Sequence, residues 1–181
     1  MKALPQSFFA LDSRQVGYDL VGKLLVRNYK GKKISGIISQ VDAYSMRNAV
    51  PNNRNRGAFY TPGAIHMYPS QGNYMLAIST FREDIYNEVL IRQVIPLEGI
   101  EIMMKHKGSS DEKNLTNGPG KLVKAFGLDK ELDGTFITDN STGLWITMHL
   151  TKPSVRKEKE TENGDESNDF VGRYTLVDWK Q

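Results

Sequence analysis

The stretch GIISQVDAYSMR (36–47) runs apolar and then sets a carboxylate, Asp42, two positions before a phenol, Tyr44. Residues two apart on a strand point to the same face, so the two groups are offered side by side. A second stretch, VLIRQVI, places Arg92 between Leu90 and Val94 on one face of another apolar strand. A guanidinium on such a face must find an anion, and Asp42 is the natural partner. Two outcomes are open: a structural ion pair, or an acid/base site in which Arg92 supports the Asp42 carboxylate. Other chemistries are poorly served. The absence of cysteine removes disulfides and thiolates. His66, His106 and His149 show no metal-ligand spacing, and there is neither a Walker-type glycine loop nor a spaced Ser/His/Asp set. TNGPGKL offers amides at a helix start, with Lys121 in the first turn, able to hold one phosphate; a well-capped ordinary helix explains it equally well.

The elements that must position these groups follow from patterning. Asp12 or Ser13 caps a first helix in which Val16, Leu20 and Val21 share a face, ending near Gly22. KLLVRNY and KISGIISQVDAY form a hairpin with Gly31 in its turn, and GAIHMYP and NYMLAIST form a second across SQGN. NEVLIRQVIP is a strong central strand broken by Pro96, followed by a short helix in LEGIEIMMKH. TNGPGKLVKAFGL carries a helix with Thr116 or Asn117 as cap, Pro119 in the first turn and Gly127 as stop. GLWITMHL and DFVGRYTLVDW give two late strands. With no internal repeat and no βαβ alternation, the expected class is α+β: one domain over residues 1–181, a central antiparallel, partly barrel-like sheet and peripheral helices.

At 181 residues, 39% hydrophobic and 25% charged, the chain is long enough for one real core. No apolar run approaches the ~20 residues of a membrane helix, and the first residues do not read as a signal peptide; the cytoplasm is the default expectation. The net charge of +3 is unevenly spread. KPSVRKEKETENGDESND (152–169) is acidic on balance, nearly devoid of apolar residues, and reads as a mobile charged loop. Between Asp42 and Glu83, by contrast, no acid occurs, while Arg47, Arg54, Arg56 and Arg82 alternate with Tyr44, Phe59, Tyr60, Tyr68, Tyr74 and Phe81. Guanidinium groups for phosphate and rings for base stacking are what a nucleic-acid surface requires.

Five stretches in order, LVGKLLVRN, VDAY, NRNRGAFYTPG, VLIRQVIPLEG and TNGPGKL, resemble the alkyladenine (3-methyladenine) DNA glycosylase family from about Phe8 to Leu128. The resemblance implies a single-domain antiparallel fold that pinches the minor groove of double-stranded DNA. It further implies flipping of a damaged purine and hydrolysis of its N-glycosidic bond without metal or cofactor. Asp42 then matches the water-activating glutamate of that family and Arg92 the arginine beside the water, while Tyr44 and Tyr68 match pocket rings that stack on the flipped base. Arg54, Arg56, Gly118 and Lys121 become candidate DNA contacts. Besides the Asp in place of Glu at position 42, three features depart from the family pattern. The loop histidine that contacts the base is missing, and His66, kept as a base-binding candidate, does not take its place by sequence position alone; the tyrosine wedge aligns with Gln71; and a pocket asparagine falls at Ala77 or Ile78. The expected protein is a monomeric base-excision glycosylase using an Asp-activated water. The alternative is a non-catalytic nucleic-acid-binding module on the same scaffold.

Overall fold

The computed structural model describes residues 1–46, 61–82, 85–151, 153–158 and 170–177. Its strands are β1 (Leu24–Tyr29), β2 (Lys32–Met46), β3 (Ile65–Ser70), β4 (Asn73–Arg82), β5 (Ile85–Glu98), β6 (Leu144–Thr147), β7 (Ser154–Glu158) and β8 (Phe170–Val177). Its helices are α1 (Gln6–Phe9), α2 (Ser13–Leu20), α3 (Ile100–Lys107) and α4 (Pro119–Ala125). All eight strands join one antiparallel sheet in the order β3-β4-β5-β2-β1-β6, with β8 added to β2 and β7 to β8. The sheet curls into half a barrel, and the class is α+β, as the patterning implies.

Local chemistry explains most of these elements. Asp12 caps α2 by accepting from the Arg14 amide at 2.9 Å. The hairpins β1–β2 and β3–β4 turn on Lys30-Gly31 and Gln71-Gly72, four residues that all have positive φ. Two consecutive left-handed residues make the turn type whose twist matches paired strands, which is why a glycine closes each pair. β2 is the hub. Its start pairs with β1 (Lys32–Ile37), its end with β8 (Gln40–Tyr44), and its opposite edge with β5.

Three expectations need correction. β5 does not break at Pro96 but runs on to Glu98. β4 accompanies β5 only along Ile85–Leu90, and the register shifts between Ser35 and Gly36, so Pro96 sits on a one-sided stretch beside a bulge, where a missing N–H is tolerated. Gly118, not Thr116 or Asn117, holds the cap position of α4; the Thr116 hydroxyl instead donates to the Val94 carbonyl at 2.7 Å. Finally, Ser154–Glu158 of the tract expected to be a loop form β7, paired along β8. That tract has few apolar groups of its own, and β8 supplies the hydrogen bonds that make it a strand.

The main core lies on one face of the sheet. Val41 and Ala43 of β2, Val89 and Ile91 of β5, Leu76 and Ile78 of β4 and Tyr174 of β8 pack there with Val16 and Leu20 of α2 and Leu122 and Phe126 near α4. A smaller cluster around Leu24, Val26 and Ile37, with Trp145 and Leu150 beside it, closes the β1–β6 end.

Candidate active site

Strand alternation puts the chemistry on the face opposite that core. On β2, Val41 and Ala43 are core residues, so Asp42 and Tyr44 face the other way. The cross-strand register extends the row through Asp42 in both directions: His66, Ala77, Leu90, Asp42, Arg173 and Glu158 stand abreast on β3, β4, β5, β2, β8 and β7. One row further along, Tyr44 lies opposite Glu88, and Glu88 opposite Ser79.

Asp42 is 1% exposed, and two arginines hold its carboxylate. Arg173 donates from Nε to Oδ1 at 2.6 Å and from Nη2 to Oδ2 at 2.9 Å. Arg92 donates from Nη1 to the same Oδ2 at 3.0 Å and from Nε to the Gln40 side-chain carbonyl at 3.2 Å. Gln40 in turn donates to the Thr175 hydroxyl at 3.1 Å. Arg92 reaches both acceptors because the β2–β5 register slips between Ile38 and Val41, leaving Arg92 between the paired residues Ile91 and Gln93. Bulges of this kind re-aim a side chain. The hydrogen bond to Asp42 is the main influence raising the pKa of the Arg173 guanidinium, and the group also lies over the Phe170 ring, 5.8 Å from its centre.

Beside Arg92 opens a cavity of about 560 Å³. Tyr44, Tyr68, Met75, Leu90 and Arg92 form its sheet wall, Ser70, Gln71 and Asn73 its hairpin wall, and Gly118–Lys121 the facing edge. Burial pushes the Tyr44 phenol up to about 12, with the Asp42 charge adding to the shift and Arg92 opposing it. Burial likewise pushes Tyr68 up, reinforced by Glu88. Both rings therefore stay neutral at physiological pH: they can stack and donate a hydrogen bond, and they are not nucleophiles. Lys121 donates to the side-chain carbonyls of Asn117 (2.9 Å) and Asn114 (3.3 Å), which hold its ammonium at the cavity edge.

The structure thus gathers Tyr44, Tyr68, Arg92, Gln71, Gly118 and Lys121 around one cavity, with Asp42 directly behind Arg92. His66 and Ala77 share the face but are buried and are not among the lining residues. The His66 Nε2 lies 2.8 Å from the Ser79 hydroxyl, and burial lowers its pKa, so the ring is neutral at pH 7. Of the two positions considered for the pocket asparagine, Ile78 belongs to the core on the opposite face. Arg54 and Arg56 lie outside the described residues.

Two charged residues of this face escaped the sequence reading. Arg173 carries the same signal as Arg92, a guanidinium inside an apolar strand. Glu88 is a buried acid next to Asn87 at the head of an otherwise apolar run. Among the described residues, no group of three His, Cys, Asp or Glu side chains could hold a metal ion.

The profile of the methylpurine-DNA glycosylase family matches residues 7–165. Proteins named "Putative 3-methyladenine DNA glycosylase" align along most of the chain. That of Clostridium perfringens (strain SM101) is 34% identical, covering 98% of this chain and 97% of its own. That of Chlorobaculum parvum is 33% identical, covering 90% and 85% respectively. That of Mesorhizobium japonicum is 34% identical over 78% and 71%.

Proposed function

The chain belongs to the methylpurine-DNA glycosylase family and is a DNA glycosylase for methylated bases; from that premise we propose that it turns a damaged purine out of duplex DNA into the Tyr44–Tyr68 cavity and hydrolyses it with a water activated by Asp42. The observation that supports this reading is that two neutral phenols and Arg92 line one cavity, and that Arg92 bonds the Asp42 carboxylate behind it. Alkylation at a purine ring nitrogen leaves the base cationic, and a cation is attracted to an aromatic face. The same charge makes the base a good leaving group. Asp42 takes a proton from water, the water oxygen bonds to the sugar C1′, and the bond from C1′ to the purine nitrogen breaks. Its electron pair returns to the ring, which leaves neutral, and the sugar keeps a 1′-hydroxyl. The proton on Asp42 then passes to solvent.

Asp42→Asn tests the assignment. General-base assistance is worth ~100-fold or more, so base release from a methylated duplex should fall by at least that factor while binding to a duplex with an abasic-site analogue persists. Release at the parent rate would remove Asp42 from the chemistry. A second reading has one observation in its favour: Asp42 is 1% exposed and held on both oxygens, as a structural ion pair would be. On that reading the parent binds lesion DNA and releases no base.

A further inference from the structure

We infer that Arg173 is a positioning residue for Asp42, aiming one lone pair of the carboxylate at the reacting water; this rests on the reading of Asp42 as the base. A carboxylate offers about four lone-pair sites. Among the described residues, Oδ2 accepts from both Arg173 Nη2 and Arg92 Nη1, whereas Oδ1 accepts only from Arg173 Nε. Three sites are thereby filled, and the fourth, on Oδ1, is the one left to receive a proton. An aspartate has one side-chain torsion fewer than a glutamate with which to adjust its aim, so the surrounding donors must set its plane. A planar guanidinium fork bonding both oxygens does this; a single-point ammonium does not.

The two arginines divide the work. Arg173 is held at several points: its strand is hydrogen-bonded to β2 on one edge and β7 on the other, and its guanidinium lies against Phe170. Arg92 makes one contact to Asp42, shares itself with Gln40 and faces the cavity. Arg92 is therefore the partner placed to meet the substrate, and Arg173 the one that keeps the carboxylate oriented when Arg92 turns to it. Nothing places Arg173 in contact with the reacting atoms, so its effect must pass entirely through Asp42.

That dependence gives the test. Single-turnover base release from a duplex bearing one methylated purine is measured for the parent, Arg173→Met, Arg173→Lys, Asp42→Asn and the Asp42→Asn/Arg173→Met pair, with affinity for an abasic-analogue duplex and the melting temperature of each. A misplacement of ~1 Å costs on the order of 100-fold. Arg173→Met should therefore slow release by roughly 30- to 100-fold with abasic affinity within about 3-fold of the parent, and Arg173→Lys should fall between. In the Asp42→Asn background, Arg173→Met should change the residual rate by less than about 2-fold, because distinct groups that act as a unit are not additive. Parent-rate release by Arg173→Met overturns the inference, as does a full additional loss in the double variant, which would mark a structural role. A parent that releases no base defeats the glycosylase reading itself and the inference with it. The two failures are told apart by whether the parent is active.

Discussion

A neutral phenol and a cationic purine suit each other, and the residues around the cavity keep the phenols neutral. With Tyr44 held at about 12 mainly by burial, its contribution to lesion binding should be flat with pH until near that value. Tyr44→Phe should leave base release within about 3-fold of the parent, since the face is retained, whereas Tyr44→Ala should lose ~10-fold or more, given that one base–aromatic stack is worth ~1–3 kcal/mol. Equal losses in the two variants would show that the hydroxyl, not the ring face, matters. His66 makes a separate prediction about stability. Burial lowers its folded-state pKa below 6.5, so as pH falls below about 6.5 the unfolded chain takes up a proton that the folded one resists, and stability is lost in that direction. The melting temperature should drop between pH 7 and pH 5 more steeply for the parent than for His66→Gln. At this scale the sequence was readable where a charge interrupts an apolar strand: Asp42 and Arg92 were matched in advance. Arg173 was not, because choosing among arginines requires knowing which strand lies beside β2.

Elements whose shape is set by neighbours in sequence were read well, the cap of α4 excepted. The Lys30-Gly31 and Gln71-Gly72 turns and the Asp12 cap each depend on a few adjacent residues. β7 and the far end of β5 depend on partner strands distant in sequence, and no local pattern announces them. The β3–β4 tip illustrates an element that is both turn and cavity wall. Gln71 has φ +50°, is exposed and lines the cavity. If a nucleotide is flipped as proposed and Gln71 sits at the gap it leaves, Gln71→Tyr sets a ring there and should tighten binding to an abasic-analogue duplex by roughly 10-fold, within the ~1–3 kcal/mol of one stack. A cost in melting temperature should accompany it, because a bulky residue fits a left-handed position poorly. If parent and variant bind the abasic duplex equally at one salt concentration, Gln71 is only a turn residue.

Among the described residues, the β3-β4-β5-β2-β8 part of the sheet carries the main apolar core on one face and Asp42, Arg92, Arg173 and the cavity phenols on the other, and a second apolar cluster takes over that other face at the β1–β6 end. The acid-free segment legible in the sequence supplies much of the second side, through β3 and β4. On the facing edge, Lys121 lines the cavity, and the charges of Lys121 and Lys124 add to burial in lowering the pKa of Lys107, marking a local concentration of ammonium groups. Neutralising phosphate releases counterions, so log affinity for duplex should fall with log salt by ~0.9 per contact. Lys121→Ala should weaken every duplex alike and lower that slope by about one. A slope unchanged by the substitution would place the phosphates elsewhere.

The bond from Arg173 to Asp42 spans 131 residues of chain. During synthesis, β2 therefore emerges and pairs with β1 and β5 long before β8 exists, and until then its edge along Gln40–Tyr44 is open. An open strand edge is a template for intermolecular pairing, and here it carries an acid missing its bidentate partner. A chain clipped before β7, whether by protease or by a premature stop, would expose that edge for good. Such a fragment should collect in the insoluble fraction, which makes β8 the strand that covers this edge of β2 against aggregation.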